Sequence, residues 1–483
     1  MKDTLMDYRG RKRFLGNVVH VCNNCGKISE EKLTICCDNS LVKRDYQLSG
    51  FGNVISYAGE WDGIFQFPSV TVKLKENIID REGNWVGIEE PTIGKPAECR
   101  VRMTDFQNRP YFNTPHIAYS EALAKNTDFK IDYKGNDVGI RGWGSWLGFF
   151  AVEAKEFGPS DFKEKRIGHP TEDSFTLAAE AVRYARMRAG CDLKGPLTIR
   201  LGTEYSLTDS QPYANLLGTK VNCPPNYDGS DEKAACLAGM YSFFDALFAV
   251  VAGDSDEGIS AGSDIAGWLG RKDKDLRRFT GDAASALEVG KGNKKSLVAT
   301  VIKSKNGRYT WKHSSFTPDY DVNKRGEAFH EGRFTGEPGY FEHTANAAKG
   351  FITEFGLEPK DFTFAVLHAP NLGFPTKLGK SLGFTDQQME PNIKISTMKG
   401  NGYSDSVELC YAFEHSKPGD RIWWEKYGSG AGGRVAALEV LEGVEERKYV
   451  APTVEELLAH KKMITVAEHD KIMKLREQIL GFA

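Results

Sequence analysis

Two stretches far apart in this chain end in the same four letters: "GDAASALEV" closes on Val289 and "GGRVAALEV" on Val440. What precedes them also repeats in order. The first has a helix pattern, "TEDSFTLAAEAVRYARMRAG", with Leu177, Ala178, Ala181, Val182 and Ala185 at helical spacing between a Thr171 cap and a closing Gly190. A strand, "PLTIRL", follows and ends at "GTE". The second has the helix "YFEHTANAAKGFITEFG" and then the strand "FTFAVLHAP". Helices and strands bury apolar residues at different periods, so a recurring order of the two restricts the fold more tightly than composition can. It implies a duplicated α/β unit, with halves at 138–292 and 293–446 whose sheets pack around shared central helices.

A chain of 483 residues is too long for one ordinary core. Ahead of the repeat, residues 43–115 change to short alternating segments, "NVISYAGEW", "PSVTVKLKE", "NWVGIEE" and "AECRVRMTDF", the pattern of a small antiparallel sheet or barrel. A polar linker, 116–137, separates the two periodicities, and a charged amphipathic tail, 447–483, reads as a helical packing or interface element. With 63 basic against 66 acidic side chains there is no global field for nucleic acid or an anionic membrane, so a small substrate is expected and neither of those partners is. The longest apolar run, 234–252, contains Ser242 and Asp245 between acidic flanks and reads as a buried helix rather than a membrane span. The polar opening "MKDTLMDYRGRKRFLG" lacks the layout of a secretory signal, and nine scattered cysteines favour reduced thiols; both are expected of a cytoplasmic protein.

Four of those cysteines crowd the stretch "VHVCNNCGKISEEKLTICC". Cys22 and Cys25 make a C-x-x-C half-site, whose spacer lets both thiolates reach one tetrahedral ion. Cys36 and Cys37 are adjacent instead of spaced, so a structural zinc would take either all four sulfurs or three with His20 or water. A ribbon that has lost its metal is the other reading.

The chemistry is expected elsewhere. Cys236 sits at the start of the apolar helix, where unpaired backbone N–H groups and the helix dipole lower a thiol's pKa and favour the thiolate. His368 ends the strand of "FAVLHAP", where α/β folds present side chains to a cleft. Asn401 lies in the glycine-flanked turn "MKGNGYSDS", and Glu204 follows the strand that ends in "GTE". Taken singly, each has a structural reading: a small core thiol, a hydrogen-bonded histidine, an αL turn residue and a solvated carboxylate.

Taken together, "RFTGEPGYFEHTANAAK", "FAVLHAPNLGFP", "MKGNGYSDS", "PGDRIWWEKYGSGAGG" and the cysteine of "ACLAG" resemble the archaeal and bacterial type of 3-hydroxy-3-methylglutaryl-CoA synthase, within the thiolase superfamily. The resemblance runs from about residue 138 to 445. The opening part, with its cysteines and "LSGFGNVISYAGEW", is similar to the zinc-ribbon plus OB-fold proteins that accompany such enzymes. The fold so implied is an α/β thiolase fold, a duplicated five-layered αβαβα, behind an N-terminal zinc ribbon and a small OB-fold β-barrel.

The resemblance also implies roles. Cys236 would take an acyl group from a coenzyme A thioester, and Glu204 would be the acid/base of an aldol condensation with a 3-ketoacyl-CoA. His368 and Asn401 would orient the acceptor carbonyl, and water would free the product. Gly428, Ser429 and Gly430, with Tyr340 and Pro338, would lie on the substrate side; the glycines of "YGSGAGG" precede a strand pattern and no Lys-Ser/Thr pair, so they are not a phosphate-binding loop. A homodimer at least is implied, with a separate thiolase as a candidate partner. Two alternatives stand beside this: a Claisen-type acyltransferase, which Glu204 argues against, and a noncatalytic acyl-CoA scaffold, which all four residues argue against. One stretch departs from the family's pattern: "GIRGWGSWLGFFAVEAKEFG" carries aromatics where arginine and tyrosine are usual, which points to an altered substrate entrance and an acceptor bulkier than acetoacetyl-CoA.

Overall fold

The structure, a computed structural model, describes residues 129–206, 210–221, 223–317, 320–330, 336–430 and 432–477, together with the backbone of residues 335, 478 and 479 and of eight strands between residues 18 and 113. The chain divides into two units, Met1–Ile117 with Leu216–Cys223, and Ala118–Asn215 with Pro224–Ala483.

In the first unit, Val18–Cys22 pairs antiparallel with Ile28–Ser29 and with Lys43–Gln47. Phe51–Ala58, Ser69–Leu74, Asp80–Trp85, Tyr111–Asn113 and Pro96–Arg100 close in that order into a barrel. Closure leaves no strand edge unpaired, which alternating segments too short to form a wide sheet require. Cys25, Cys36 and Cys37 lie outside the described residues, as do the side chains of His20 and Cys22, and with them the expected zinc site.

The second unit is built on one sheet. Its strands are β1 (Asp137–Leu147), β2 (Leu197–Gly202), β3 (Tyr227–Glu232), β4 (Glu257–Ile265), β5 (Asp282–Gly292), β6 (Ala299–Val301), β7 (Phe364–Leu367), β8 (Arg421–Gly428) and β9 (Gly432–Val440). They lie in the order β3-β2-β4-β5-β1-β6-β9-β8-β7, and Trp311–His313 also pairs with β9. Read outward from the centre, β1-β5-β4-β2 on one side answers β6-β9-β8-β7 on the other. Strand directions answer as well. The outer pairs β2/β4 and β7/β8 are parallel, and β4/β5, β5/β1, β8/β9 and β9/β6 are antiparallel. Within the sheet one ladder pair, Ile140 with Ala299, joins the central strands of the two halves.

Helices complete the repeat: α1 (Ser174–Ala189) precedes β2, α2 (Ala238–Ala252) precedes β4, α3 (Phe341–Phe355) precedes β7 and α4 (Val407–His415) precedes β8. The shared Ala-Leu-Glu-Val therefore falls in β5 and β9, which hold equivalent places.

Alternation along each strand assigns the layers, because successive side chains point to opposite faces. In β1, Gly142 and Gly144 leave no room for a Cβ against the backbone of α1, whereas Trp143 between them meets Phe413 of α4 with ring centroids 5.7 Å apart. In β8, Trp423 lies edge-on to Phe351 of α3 at 5.0 Å, and Trp424 lies against Phe243 of α2 at 5.3 Å. The packing order is thus α1, the first half-sheet, α2 with α4, the second half-sheet, and α3. Each of these fully buried indoles is worth about 2–3 kcal/mol in burial, so both faces of both half-sheets contribute to stability.

Three local expectations are refined. The cap of α1 is Asp173, whose side chain accepts from the Thr176 amide at 2.9 Å; the Thr171 hydroxyl is engaged with His169 Nδ1 at 2.8 Å instead. The run Ala235–Ala252 is long and apolar enough to cross a membrane by composition, yet most of it is enclosed between the half-sheets. The tail folds onto its own unit, with Lys462–Met463 pairing beside Phe150–Ala151 and a fully buried ion pair between Arg476 and Asp282 at 2.9 Å.

Candidate active site

Because the halves are equivalent, so are their corners. Glu204 comes two residues after β2 and His368 directly after β7; Cys236 comes two residues before α2, and Asn401 lies on the turn before α4. The parallel pairs present their carboxyl ends to the site, where such sheets place functional side chains.

Cys236 is 7% exposed and sits on a sharp elbow. Ala235 before it has φ +47°, a left-handed conformation that a Cβ makes costly and that surrounding structure must enforce. Neighbouring glycines make the enforcement sterically feasible. A Cβ on Gly428 would stand 2.2 Å from the Ala234 carbonyl oxygen, and one on Gly239 would stand 2.0 Å from the Ser404 oxygen and 3.0 Å from Gly262 Cα. Gly239→Ala is therefore expected to push the turn before α4 off the start of α2, lowering the melting temperature by about 5 °C and reducing activity with it. Thermal unfolding by circular dichroism measures this, and an unchanged melting temperature would show that the two backbones are not locked together.

The electrostatics differ from the expectation of a lowered thiol pKa. Burial pushes the Cys236 thiol well above its usual range and the adjacent Glu204 charge adds to this, while Lys426 pulls the other way. The first N–H groups near the helix start are already spent: Leu237 donates to the Ala234 carbonyl at 3.1 Å and Ala238 to that of Ala235 at 2.9 Å. A closed site with bonded amides has little left to offer a bare thiolate.

Burial, and then the charge of Asp264, push the Glu204 carboxyl up to about 8. Asp264 accepts from the Thr203 hydroxyl and the Glu204 amide, both at 2.8 Å, and from the Ser404 amide at 3.2 Å, so it ties the end of β2 to the turn before α4. Burial raises its own pKa to about 6. Tyr320 donates its hydroxyl to Glu204 Oε2.

His368 is buried, and burial followed by the charges of Lys426 and Lys399 keeps its ring neutral, with the pKa well below the usual imidazole value. Asn401 is fixed by its amide donating to the Phe279 carbonyl at 2.7 Å, and its Oδ1 accepts from the Tyr403 amide at 3.1 Å. The left-handed positions of this turn fall on Gly400 and Tyr403. His368 and Asn401 line one small cavity with Lys399, Lys426, Asp405 and Glu408. Lys426 links the two sets of residues: Nζ donates to the carbonyls of Tyr403 at 2.9 Å and Asp405 at 2.6 Å, and its charge acts on both Cys236 and His368.

The remaining expected residues divide. Gly428 abuts the cysteine elbow, and the half-buried Gly430 donates its amide to Thr317 Oγ1 at 3.2 Å with Ser429 beside it. Pro338 is exposed. Tyr340 is wholly buried and donates its hydroxyl to the His368 carbonyl at 2.8 Å, so it supports the strand end that carries the histidine. Trp143 and Trp146 are also wholly buried, on α4 and α1 respectively, so the aromatic stretch does not shape an entrance and no longer argues for a bulky acceptor. Among the described residues Cys191, Glu257 and Glu288 gather closely enough to hold a metal ion, but Arg141 and Arg186 already neutralise the two carboxylates.

No protein-family model matches the chain. The hydroxymethylglutaryl-CoA synthase of Methanosarcina barkeri is 36% identical over 318 residues, 64% of this chain and 86% of that protein. The protein of the same name from Methanopyrus kandleri is 33% identical over 353 residues, 70% of this chain and 97% of its own length. The chain belongs to the hydroxymethylglutaryl-CoA synthase family. Solved structures add the fold. MvaS in complex with 3-hydroxy-3-methylglutaryl coenzyme A superposes with a TM-score of 0.61 at 20% identity, covering 71% of this chain and 92% of that one. 3-Oxoacyl-[acyl-carrier-protein] synthase III from Aquifex aeolicus VF5 does so at 0.52 and 18% identity, covering 63% and 100%. The fold is thus thiolase-like α/β.

In this member of the hydroxymethylglutaryl-CoA synthase family, sequence reasoning missed Asp264, Tyr320, Tyr403 and Lys426. A signal existed for two of them. Asp264 and Lys426 are charges in strands that are buried along almost their whole length, and a buried charge has a partner or a task. Tyr320, on a short hairpin, offered no pattern to read.

Proposed function

We propose that this chain is a hydroxymethylglutaryl-CoA synthase that condenses acetyl-CoA with acetoacetyl-CoA. Cys236 takes the acetyl group and releases coenzyme A; Glu204 removes a proton from the acetyl methyl, and the resulting carbanion adds to the ketone of acetoacetyl-CoA. Neutral His368 and Asn401 donate hydrogen bonds to the developing alkoxide, and water then cleaves the thioester on Cys236. The observation that carries this reading is the buried carboxyl of Glu204 beside the buried thiol of Cys236. A carboxyl raised to about 8 is a stronger base than an ordinary one, as abstraction from a thioester methyl demands. Claisen chemistry needs no such group there.

Around this core the reading extends further. Residues 1–42 are a zinc-ribbon segment and 43–115 an OB-type barrel joined by the linker 116–137 to the two thiolase-like halves, and the protein works as a cytoplasmic homodimer. The test is incubation of the full chain with acetyl-CoA and acetoacetyl-CoA, followed by mass spectrometry of products. Hydroxymethylglutaryl-CoA with release of free coenzyme A is expected. Acetyl-CoA consumption without that product, across a panel of 3-ketoacyl-CoA acceptors, would remove the assignment.

A further inference from the structure

One hydroxyl in the site has no part in the scheme above. Tyr320 opens a hairpin in which Tyr320–Val322 pairs antiparallel with Ala328–His330, and its hydroxyl donates to Oε2 of Glu204. The other carboxyl oxygen, Oε1, is buried with no partner at hydrogen-bond geometry among the described residues, although the Cys236 thiol stands close enough to act on the carboxyl. A buried carboxylate normally accepts at both oxygens, so an unpartnered one is a feature to be explained.

The hairpin is held rigidly enough to fix that hydroxyl. At its far end the Tyr205 hydroxyl donates to the Lys324 carbonyl at 3.3 Å, and Arg271 donates to the Gly326 carbonyl at 2.8 Å while its guanidinium lies 3.8 Å over the Trp268 ring. Gly326 is pressed so closely that a Cβ there would stand 2.1 Å from Trp268. The Tyr320 ring itself stands edge-on to Tyr403, centroids 5.9 Å apart. From the opposite side, Asp264 holds the Glu204 amide. The carboxyl is thus gripped at its backbone and at one oxygen.

Building on the condensation assigned above, we propose that Tyr320 is a positioning residue for Glu204, occupying Oε2 so that Oε1 alone exchanges a proton with the acyl group carried by Cys236. In the forward step the methyl C–H bond breaks, its electron pair passes into the thioester enolate and its proton goes to Oε1. After the carbon–carbon bond forms, the alkoxide takes that proton back from Oε1, so the carboxylate is regenerated. The phenol keeps its own proton throughout, because burial and the Glu204 charge hold it well above the usual tyrosine range.

The hydrogen bond from Tyr320 favours the ionised carboxyl, against burial and Asp264, which favour the neutral one; Cys236, Tyr403 and Lys233 are the other titratable groups whose charges bear on this corner. Removing the hydroxyl should therefore make Glu204 harder to ionise. The test is Tyr320→Phe in the full chain, with kcat for condensation measured across pH. The acidic limb is expected to move to higher pH and kcat at pH 7 to fall about tenfold, while acetylation of Cys236 followed by intact mass, and the melting temperature, stay as in the wild type. An unmoved limb with undiminished kcat overturns the proposal, and so does an equal loss of acetylation and condensation, which would mark a merely structural residue. Wild-type protein that is acetylated but makes no condensation product would instead remove the functional assignment, and this proposal with it.

Discussion

Cys236→Ala will carry no acetyl group after incubation with acetyl-CoA and will form hydroxymethylglutaryl-CoA at a rate lower by about 10⁴-fold or more, while folding as the wild type does. No other thiol among the described residues can replace it. The Cys191 thiol is spent on Glu288 Oε1 and the Cys410 thiol on the Gly144 carbonyl, each at 3.5 Å. Cys191 also follows a left-handed residue, but that is Gly190, the closing glycine of α1, whereas Cys236 follows a left-handed alanine, Ala235, whose side chain resists the conformation. That strained backbone costs roughly 1–3 kcal/mol and aims one side chain into the site, so the strain serves the thiol and no stability is lost with it. Intact-mass analysis reads the adduct and a coupled assay reads coenzyme A release. Persistence of an acetyl adduct in this variant would place the nucleophile elsewhere.

The architecture could be read from the sequence because it is written twice. A helix and a strand in one order, closing on the same four residues, fall on β5 and β9, and the corners of the two copies then supply Glu204 with Cys236 and His368 with Asn401. What escaped is what two copies do to one another where they meet. Spacing places Cys236 at a helix start, but only the fold shows that the nearby amides are already bonded and that a carboxyl stands beside the sulfur, which reverses the direction of the pKa shift. Trp143 and Trp146 look in sequence like a remodelled entrance; alternation in a strand covered on both faces sends one to α4 and the other to α1. Asp264 acts across the boundary between halves by binding Ser404 from β4, and Lys426 of β8 by placing its charge near Cys236, and no local pattern encodes a contact made at that distance along the chain.

The largest separation of steps is expected from Glu204→Gln. Condensation should fall about 10³-fold, the usual worth of a positioned acid/base group, while acetylation of Cys236 survives and, above about pH 8 where the wild-type carboxyl is charged, even quickens. The reason is on the sulfur side: the Glu204 charge raises the thiol's pKa, so replacing the carboxyl by an amide removes one of the two largest obstacles to forming the thiolate. In the wild type, condensation should rise with pH through about 8, because only the ionised carboxylate accepts the methyl proton; in the variant that limb should vanish. Stability carries a second signature. A carboxyl raised from 4.5 to about 8 binds its proton more tightly folded than unfolded, so its contribution is fully present below about 4.5 and is lost as pH rises through about 8. Glutamine has no such loss, and the melting temperature of the variant relative to wild type should therefore climb between pH 5 and pH 8 and level off above. Acetylation that disappears together with condensation would mean that Glu204 serves the transfer to Cys236 and not the carbon–carbon bond.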